Sequence, residues 1–206
     1  MPDLEIPRKA VYRLSLYQRC LQRLQENEVE TVSSQALAKA AGVKPTQLRK
    51  DLAYFGQFGK RGLGYDVGVL AGSISEALGR TRLQPVILIG AGNLGSALLR
   101  YQGFRKEGFE IVAAFDADPM LVGRAVQGVP VRAEEDLADF LAGGAVKMAI
   151  LAVPAEAAQR VANELVGSGV QAILNFSPIV LEVPGEVVVN HVDLALELEN
   201  LSYFVR

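Results

Sequence analysis

At 206 residues, 50% of them hydrophobic and 21% charged, the chain has room for one large or two small domains with an ordinary globular core. A single cysteine, Cys20, excludes an internal disulfide and a cysteine-based metal site, and apolar runs such as MAILAV and VILIGA are far too short to span a membrane. The net charge of −2 conceals 13 Lys/Arg against 8 Asp/Glu through Gln84 and 8 against 15 from Pro85 onward.

A basic front joined to an acidic back points to two domains with different partners, the first facing nucleic acid. The opening MPDLEIPRK lacks the apolar stretch of a signal peptide, so the chain is expected in the cytoplasm, with no membrane partner.

Residues 7–27 carry Val11, Leu14, Tyr17, Leu21 and Leu24 near helical spacing, with Arg13, Arg19 and Arg23 elsewhere around the wheel. In SSQALAKAAGVKPTQLRKDLAYFG, Ser33 or Ser34 is placed to cap a short helix through Ala41. Gly42 then supplies the left-handed turn, and Pro45 suits the first position of a second helix. That helix turns Leu48 and Leu52 inward and Gln47, Arg49, Lys50 and Tyr54 outward, the form of a helix-turn-helix whose second helix enters the DNA major groove. GQFGKRGLGYDV follows, a basic glycine-rich hairpin with the form of a wing carrying Lys60 and Arg61. Lys60 and Arg61 suit phosphate contact, while Gln47, Arg49 and Lys50 are candidates to read base edges. The alternative is a small helical bundle whose basic residues only face water.

VILIGAGNLGSALL reads as a buried strand, a glycine turn and the start of a helix near Leu94. Gly90, Gly92 and Gly95 take the tight turn, the close approach to a pyrophosphate and the close packing of helix on strand. Ala91, Asn93, Leu94, Ser96 and Ala97 complete the loop and first turn, whose free N–H groups aim at the phosphates. The strand FEIVAAF ends in Asp116, 26 residues past Gly90, where a carboxylate binds ribose hydroxyls and repels the extra phosphate of NADP, so NAD(H) is the expected cofactor. Alternating strands and helices continue through VPVR, EEDLADFL, KMAILAV, AEAAQRVANELVGSG and VQAILNF, implying a parallel sheet with helices on both faces. Pro154, Asn175, Phe176 and Pro178 sit where strands end and are candidates for the nicotinamide end.

Hydride chemistry calls for an acid/base group, yet the only histidine, His191, lies between a strand and the last helix, and no length remains for a substrate domain. The chain therefore reads as a nucleotide receptor and not an enzyme, with a small oxidoreductase and a CoA sensor as the rival readings. From Val192, the residues Leu194, Leu198, Leu201 and Val205 line one side of a last helix with Phe204 beside them. That helix needs an apolar surface, on its own chain or on a twin.

The motifs QLRKDLAYFGQFGKRGLGY, IGAGNLGSALLRY, AAFDADP, ILNFSP and NHVDLALEL together resemble the Rex family of redox-sensing transcriptional repressors, over essentially the whole chain. The resemblance implies an α/β fold with an N-terminal winged helix-turn-helix domain (1–84), a Rossmann-like parallel-sheet domain (85–190) and a C-terminal swapped helix (191–206). It implies a homodimer on double-stranded palindromic operator DNA, bound when NADH is low and released by NADH, controlling respiration and fermentation genes. Tyr101 and Asp193 match residues that meet between subunits in one state, and Arg19 matches the basic partner of Asp193 in the other. The chain departs from the family at Leu194, where an aromatic is the family's residue.

Overall fold

The computed structural model describes residues 6–56, 58–60 and 63–205, with Gly59 and Lys60 described by backbone alone. Two units divide the chain, Met1–Arg82 and Leu83–Arg206.

In the first unit, α1 (Arg8–Glu26) buries Ala10, Leu14, Tyr17 and Leu21. Val11 is 40% exposed, so the inward stripe begins one residue earlier than the sequence spacing suggested, with Ala10 one turn before Leu14. After β1 (Thr31–Val32), α2 (Ser34–Ala40) starts at Ser33, whose Oγ accepts from the Ala36 N–H at 3.1 Å. Gly42, at φ +67, reverses the chain, and the Val43 N–H closes the turn on the Ala38 carbonyl. α3 (Pro45–Leu52) begins without a side-chain cap at Lys44, so its register rests on packing, with Leu48 and Leu52 buried. β2 (Gly59–Lys60) and β3 (Gly64–Asp66) form the hairpin, and β1 joins them in an antiparallel sheet of order β1-β3-β2.

The unit closes with α4 (Val67–Ala77), capped by the Asp66 carboxylate accepting from the Val69 N–H at 2.8 Å. Val67, Leu70, Ala71 and Ile74 of this helix join Leu14, Tyr17, Leu21, Leu37, Leu48 and Leu52 in one core.

The second unit runs β4 (Gln84–Ile89), α5 (Asn93–Arg100), α6 (Gly103–Lys106), β5 (Phe109–Asp116), β6 (Ala125–Val126), β7 (Val129–Ala133), α7 (Leu137–Leu141), β8 (Met148–Leu151), α8 (Ala155–Gly167), β9 (Ala172–Asn175), β10 (Val188–His191) and α9 (Leu194–Tyr203). Its sheet has the order β10-β9-β8-β4-β5-β7-β6. All neighbours pair in parallel except β6, which turns back antiparallel on β7, so the sheet is mixed at that edge. Strand residues alternate between two cores. Ile87, Ile89, Phe115, Leu151 and Ile173 pack under Leu137 and Leu141 of α7 and Val161 and Leu165 of α8. Val86, Leu88, Ala114 and Ile150 face the other way, onto Leu98 and Leu99 of α5 and Phe104 of α6. Two helical layers on a sheet whose order reverses between β4 and β8 is the doubly wound arrangement, and ligands bind beyond the strand ends at that reversal.

No residue of α9 is buried: Leu194, Leu198 and Leu201 are 61%, 68% and 61% exposed. The apolar row read from the sequence thus finds no cover within its own unit. Among the described residues no helix is long and apolar enough to cross a membrane.

Candidate functional site

The reversal point of the second sheet carries a cavity of about 500 Å³ lined by Gly90, Gly92, Leu94, Asp116, Pro154 and Phe176, with Ala152, Val153, Glu134 and Arg160 among its other walls. β4 delivers Gly90 at φ +94, where an added Cβ would strike the Ala152 carbonyl of the neighbouring strand end, so only glycine makes this turn. Gly95 is held against the Gly90 carbonyl just as tightly. At Gly92 an added Cβ would meet nothing within 4 Å, which leaves its bare backbone open to the cavity. α5 starts there, at Asn93 and not Leu94, with Gly92 as its cap. Its first N–H groups lack intrahelical acceptors and suit an anion.

Both oxygens of Asp116 accept from backbone. Its Oδ2 accepts from the Ala91 N–H at 2.6 Å and its Oδ1 from the Asp118 N–H at 2.8 Å, which ties β5 to the glycine loop. An ionised carboxylate has about four lone-pair sites, so two remain for ribose hydroxyls. Bare backbone at the helix cap beside a carboxylate on the next strand fits a dinucleotide.

The remaining predicted loop residues lie off the cavity wall. Ala91 is buried, and its N–H and carbonyl are taken by Asp116 and by Ser96 Oγ, which donates at 2.7 Å. Asn93 and Ala97 are exposed on the first turns of α5 but do not line the cavity.

Asn175 is turned inward. It is fully buried and does not line the cavity. Its Oδ1 accepts from the Ser177 N–H at 2.9 Å, and its Nδ2 faces the Ile179 carbonyl (2.9 Å) and His191 Nδ1 (3.0 Å). The side chain is spent on shaping the turn after β9, which in turn sets Phe176 on the cavity wall. Pro178 is exposed and also lies off the cavity. Sequence reasoning missed Glu134 and Arg160, paired at 2.7 Å on the rim. They stand just beyond β7 and inside α8, positions that no spacing motif marks.

In the first unit, α3 presents Arg49 and Lys50 exposed, Arg49 reaching Ser34 Oγ at 3.2 Å, while Tyr54 is half-buried. Gln47 is also half-buried, and its amide is held by Asp51 at 2.8 Å instead of standing free. Asp51, the lone acid in this basic stretch, is 1% exposed and receives Arg13 through Nε and Nη2 at 2.6 and 2.7 Å and the Tyr17 hydroxyl at 2.7 Å. Burial pushes its carboxyl up, but hydrogen bonds from Arg13, Tyr17 and Gln47 and the Arg13 charge outweigh this and hold it below the ordinary carboxylate range. A charged residue at a position facing the α1 packing seam was the available signal. Lys60 lies in β2, at the hairpin; Arg61 lies outside the described residues.

Of the other predicted residues, Arg19 is exposed on α1 and Tyr101, 61% exposed, ends α5 with its ring edge-on to Phe104. Asp193 caps α9, its Oδ1 accepting from the Ala195 and Leu196 N–H groups at 2.9 and 3.0 Å.

Comparison with known proteins identifies this pairing of units. The chain is 48% identical, over 96% of its length and 79% of the relative's, to the redox-sensing transcriptional repressor Rex of Streptomyces avermitilis. It is 46% identical to the Rex repressor of Pelotomaculum thermopropionicum, over 98% of this chain and 95% of that one. The chain belongs to the Rex family.

Family models agree in outline, a CoA binding domain model matching residues 81–179 and a model described as "Putative DNA-binding protein N-terminus" matching residues 5–53. Among solved structures, the complex of RSP with β-NAD+ and operator DNA superposes with a TM-score of 0.91 at 38% identity, covering 97% of this chain and 92% of that one. RSP with β-NADH superposes with a TM-score of 0.87 at 36% identity, covering 98% and 95%. Rex relatives carry the name of repressors, not of enzymes.

Proposed function

We propose that this Rex-family chain is a DNA-binding transcriptional repressor that senses the NADH/NAD+ ratio in the cytoplasm. As a homodimer it holds a palindromic operator of respiration and fermentation genes when NADH is low, and NADH releases it. Residues 1–84 bind DNA, residues 85–190 bind NAD(H), and residues 191–206 join the two copies. The observation that supports this best is the near-full-length similarity to Rex repressors, including one solved with operator DNA and with each redox form.

Gly92, the start of α5 and Asp116 hold the adenosine and pyrophosphate alike in both forms, with Asp116 favouring NAD(H) over NADP(H). Bound cofactor supplies only a difference of one charge and of ring planarity at the nicotinamide, beside Pro154 and Phe176. A ligand shifts DNA binding only through a preference for one arrangement of the protein. In this reading NADH draws Asp193 from Arg19 toward Tyr101 of the other copy, and the two α3 helices lose the operator spacing.

Fluorescence anisotropy tests this with a duplex of the RSP operator at fixed salt, with no ligand, NAD+, NADH or CoA. Release by NADH alone is expected. Indifference to all three ligands sinks the sensing claim, release by CoA alone reassigns the cavity, and absence of DNA binding sinks the repressor.

A further inference from the structure

The carboxylate with the most side-chain hydrogen bonds among the described residues of the first unit belongs to the helix proposed to read DNA. Asp51 accepts four hydrogen bonds, from Arg13 Nε and Tyr17 Oη at Oδ2 and from Arg13 Nη2 and Gln47 Nε2 at Oδ1. A carboxylate in this state offers about four acceptor sites and no donor, so it is saturated. Three of these bonds fasten α3 to α1, and the fourth is made to a residue of α3 itself, one turn earlier.

That fourth bond removes an ambiguity. A free glutamine presents its carbonyl or its amide in either sense, but Asp51 can only accept, so Gln47 must turn Nε2 toward it. Gln47 Oε1 accepts nothing among the described residues, and the side chain is only half-buried. With the N–H anti to the carbonyl given to Asp51, the planar amide keeps its carbonyl and its second N–H side by side on the opposite edge. Gln47 is the third residue of α3, at the end by which reading helices meet base edges. In the major groove, a carbonyl beside an N–H matches the N6 amino group and N7 of adenine, and no other single base offers that donor–acceptor pair.

We infer that Asp51 sets the base preference of α3: by locking the Gln47 amide in one orientation it commits Gln47 to an adenine in each half-site. The inference rests on the DNA-binding reading above. A purely structural role for Gln47, as a helix pair one turn from its acid, changes stability and leaves base preference alone.

The test is selection from a randomised duplex library by the full-length chain without nucleotide, followed by anisotropy at fixed salt on the selected duplex and its single base-pair variants. Wild type should enrich a palindrome containing one adenine per half-site whose replacement costs tenfold or more in affinity. Gln47→Ala should bind the original and replaced duplexes within threefold of each other, and Gln47→Glu should shift the preference to cytosine, whose N4 amino group a carboxylate accepts from. Asp51→Asn, whose amide faces Gln47 in either sense, should relax the same adenine preference. Should Asp51→Asn not fold, the ¹⁵N order parameter of the wild-type Gln47 amide, assigned by its loss in Gln47→Ala, decides the anchoring. A value near the rigid-backbone 0.85 supports it and one below about 0.6 overturns it. Retention of the full wild-type preference by Gln47→Ala overturns the inference while DNA binding stands. Enrichment of no sequence by wild type overturns the DNA-binding reading and this inference with it.

Discussion

Gly92 and Gly95 belong to one loop and demand opposite outcomes from the same substitution. At Gly92, with φ −59, an alanine methyl meets nothing within 4 Å. Gly92→Ala should leave the fold intact and add about 0.4–1 kcal/mol by restricting the unfolded chain. In the proposed complex, however, the methyl stands between the backbone and the pyrophosphate. Losing one charge-assisted hydrogen bond costs about 1.5–3 kcal/mol, roughly 10- to 150-fold in NADH affinity. At Gly95 the methyl meets the Gly90 carbonyl oxygen, its carbon at 2.8 Å and Leu88 Cδ2 at 3.1 Å. Overpacking of this kind costs about 1–3 kcal/mol, and at about 4 °C per kcal/mol for a unit of this size Gly95→Ala should melt on the order of 4–12 °C lower. Circular dichroism melts without ligand and calorimetric titration with NADH separate the two effects. Wild-type NADH affinity in Gly92→Ala would remove the pyrophosphate from this loop, and a wild-type melt in Gly95→Ala would refute the close-approach argument.

Removing the Asp51 carboxylate leaves Arg13, 22% exposed, and the buried Tyr17 hydroxyl without it; Asp51→Ala should lose about 3 kcal/mol in urea unfolding at pH 7, the lower end for a broken buried pair. Because the folded-state carboxyl titrates below its unfolded value near 4, that stabilisation is present above about pH 4 and lost as pH falls through the folded value. The stability gap to wild type should therefore close in acid, and a gap constant from pH 7 to 2 contradicts the bonding described. At the alkaline end, burial and the Asp51 bond raise the Tyr17 phenol well above its ordinary 10.0, so the folded chain keeps a proton that the unfolded chain releases. Stability should fall as pH rises past 10, and Tyr17→Phe should flatten that limb. Glu28 follows the α1 cap at φ +56, with the Val29 N–H on the Leu24 carbonyl; Glu28→Gly should gain about 0.5–1 kcal/mol, read in the same urea series, once glycine's unfolded-state entropy is subtracted from the relief. On α9, Leu198→Glu with Leu201→Glu should give monomers by sedimentation with an unchanged melt of the single chain, since both side chains are exposed.

Elements with a strong period or a chemical cap were legible in the sequence. α1 and α8 show helical spacing, α2 shows Ser33 and Gly42, and β4 with its glycines is a continuous apolar run closed by a turn. What stayed hidden has physical reasons. β1 is two residues long and exists only by pairing with β3, so no local signal marks it. α4 carries Gly68 and Gly72, which lower helix propensity, and it is held by tertiary burial of Leu70 and Ile74. Asn175 was read as a ligand-facing strand end because position alone cannot distinguish a side chain aimed at a ligand from one turned back to bond its own turn. That Gln47 is anchored stayed hidden for the complementary reason. Its partner Asp51 looked like one acid among basic residues, and only the arrival of Arg13 and Tyr17 from α1 makes that acid a buried anchor.

The proposed sensor needs to tell NADH from NAD+ by a single ring charge, and the chain taken alone offers mainly apolar surface for it, at Val153, Pro154 and Phe176. Charged side chains line the cavity as well, Asp116, Asp118, Glu134 and Arg160, and in the proposed complex Asp116 serves the adenosine ribose, where the two forms are the same. Apolar walls penalise a charged ring only when water is kept from it, because the cost arises from desolvation. Closure must then come from outside the cavity, and α9 is an apolar helix that its own unit leaves wholly exposed. In this reading a second copy completes the discrimination, and dimerisation and redox sensing are one property. The Leu198→Glu, Leu201→Glu variant should accordingly keep its adenosine-driven affinity while binding NADH and NAD+ within about threefold of each other in calorimetry. A monomer that still prefers NADH by the wild-type margin would place the discrimination within the single chain and refute the argument from closure.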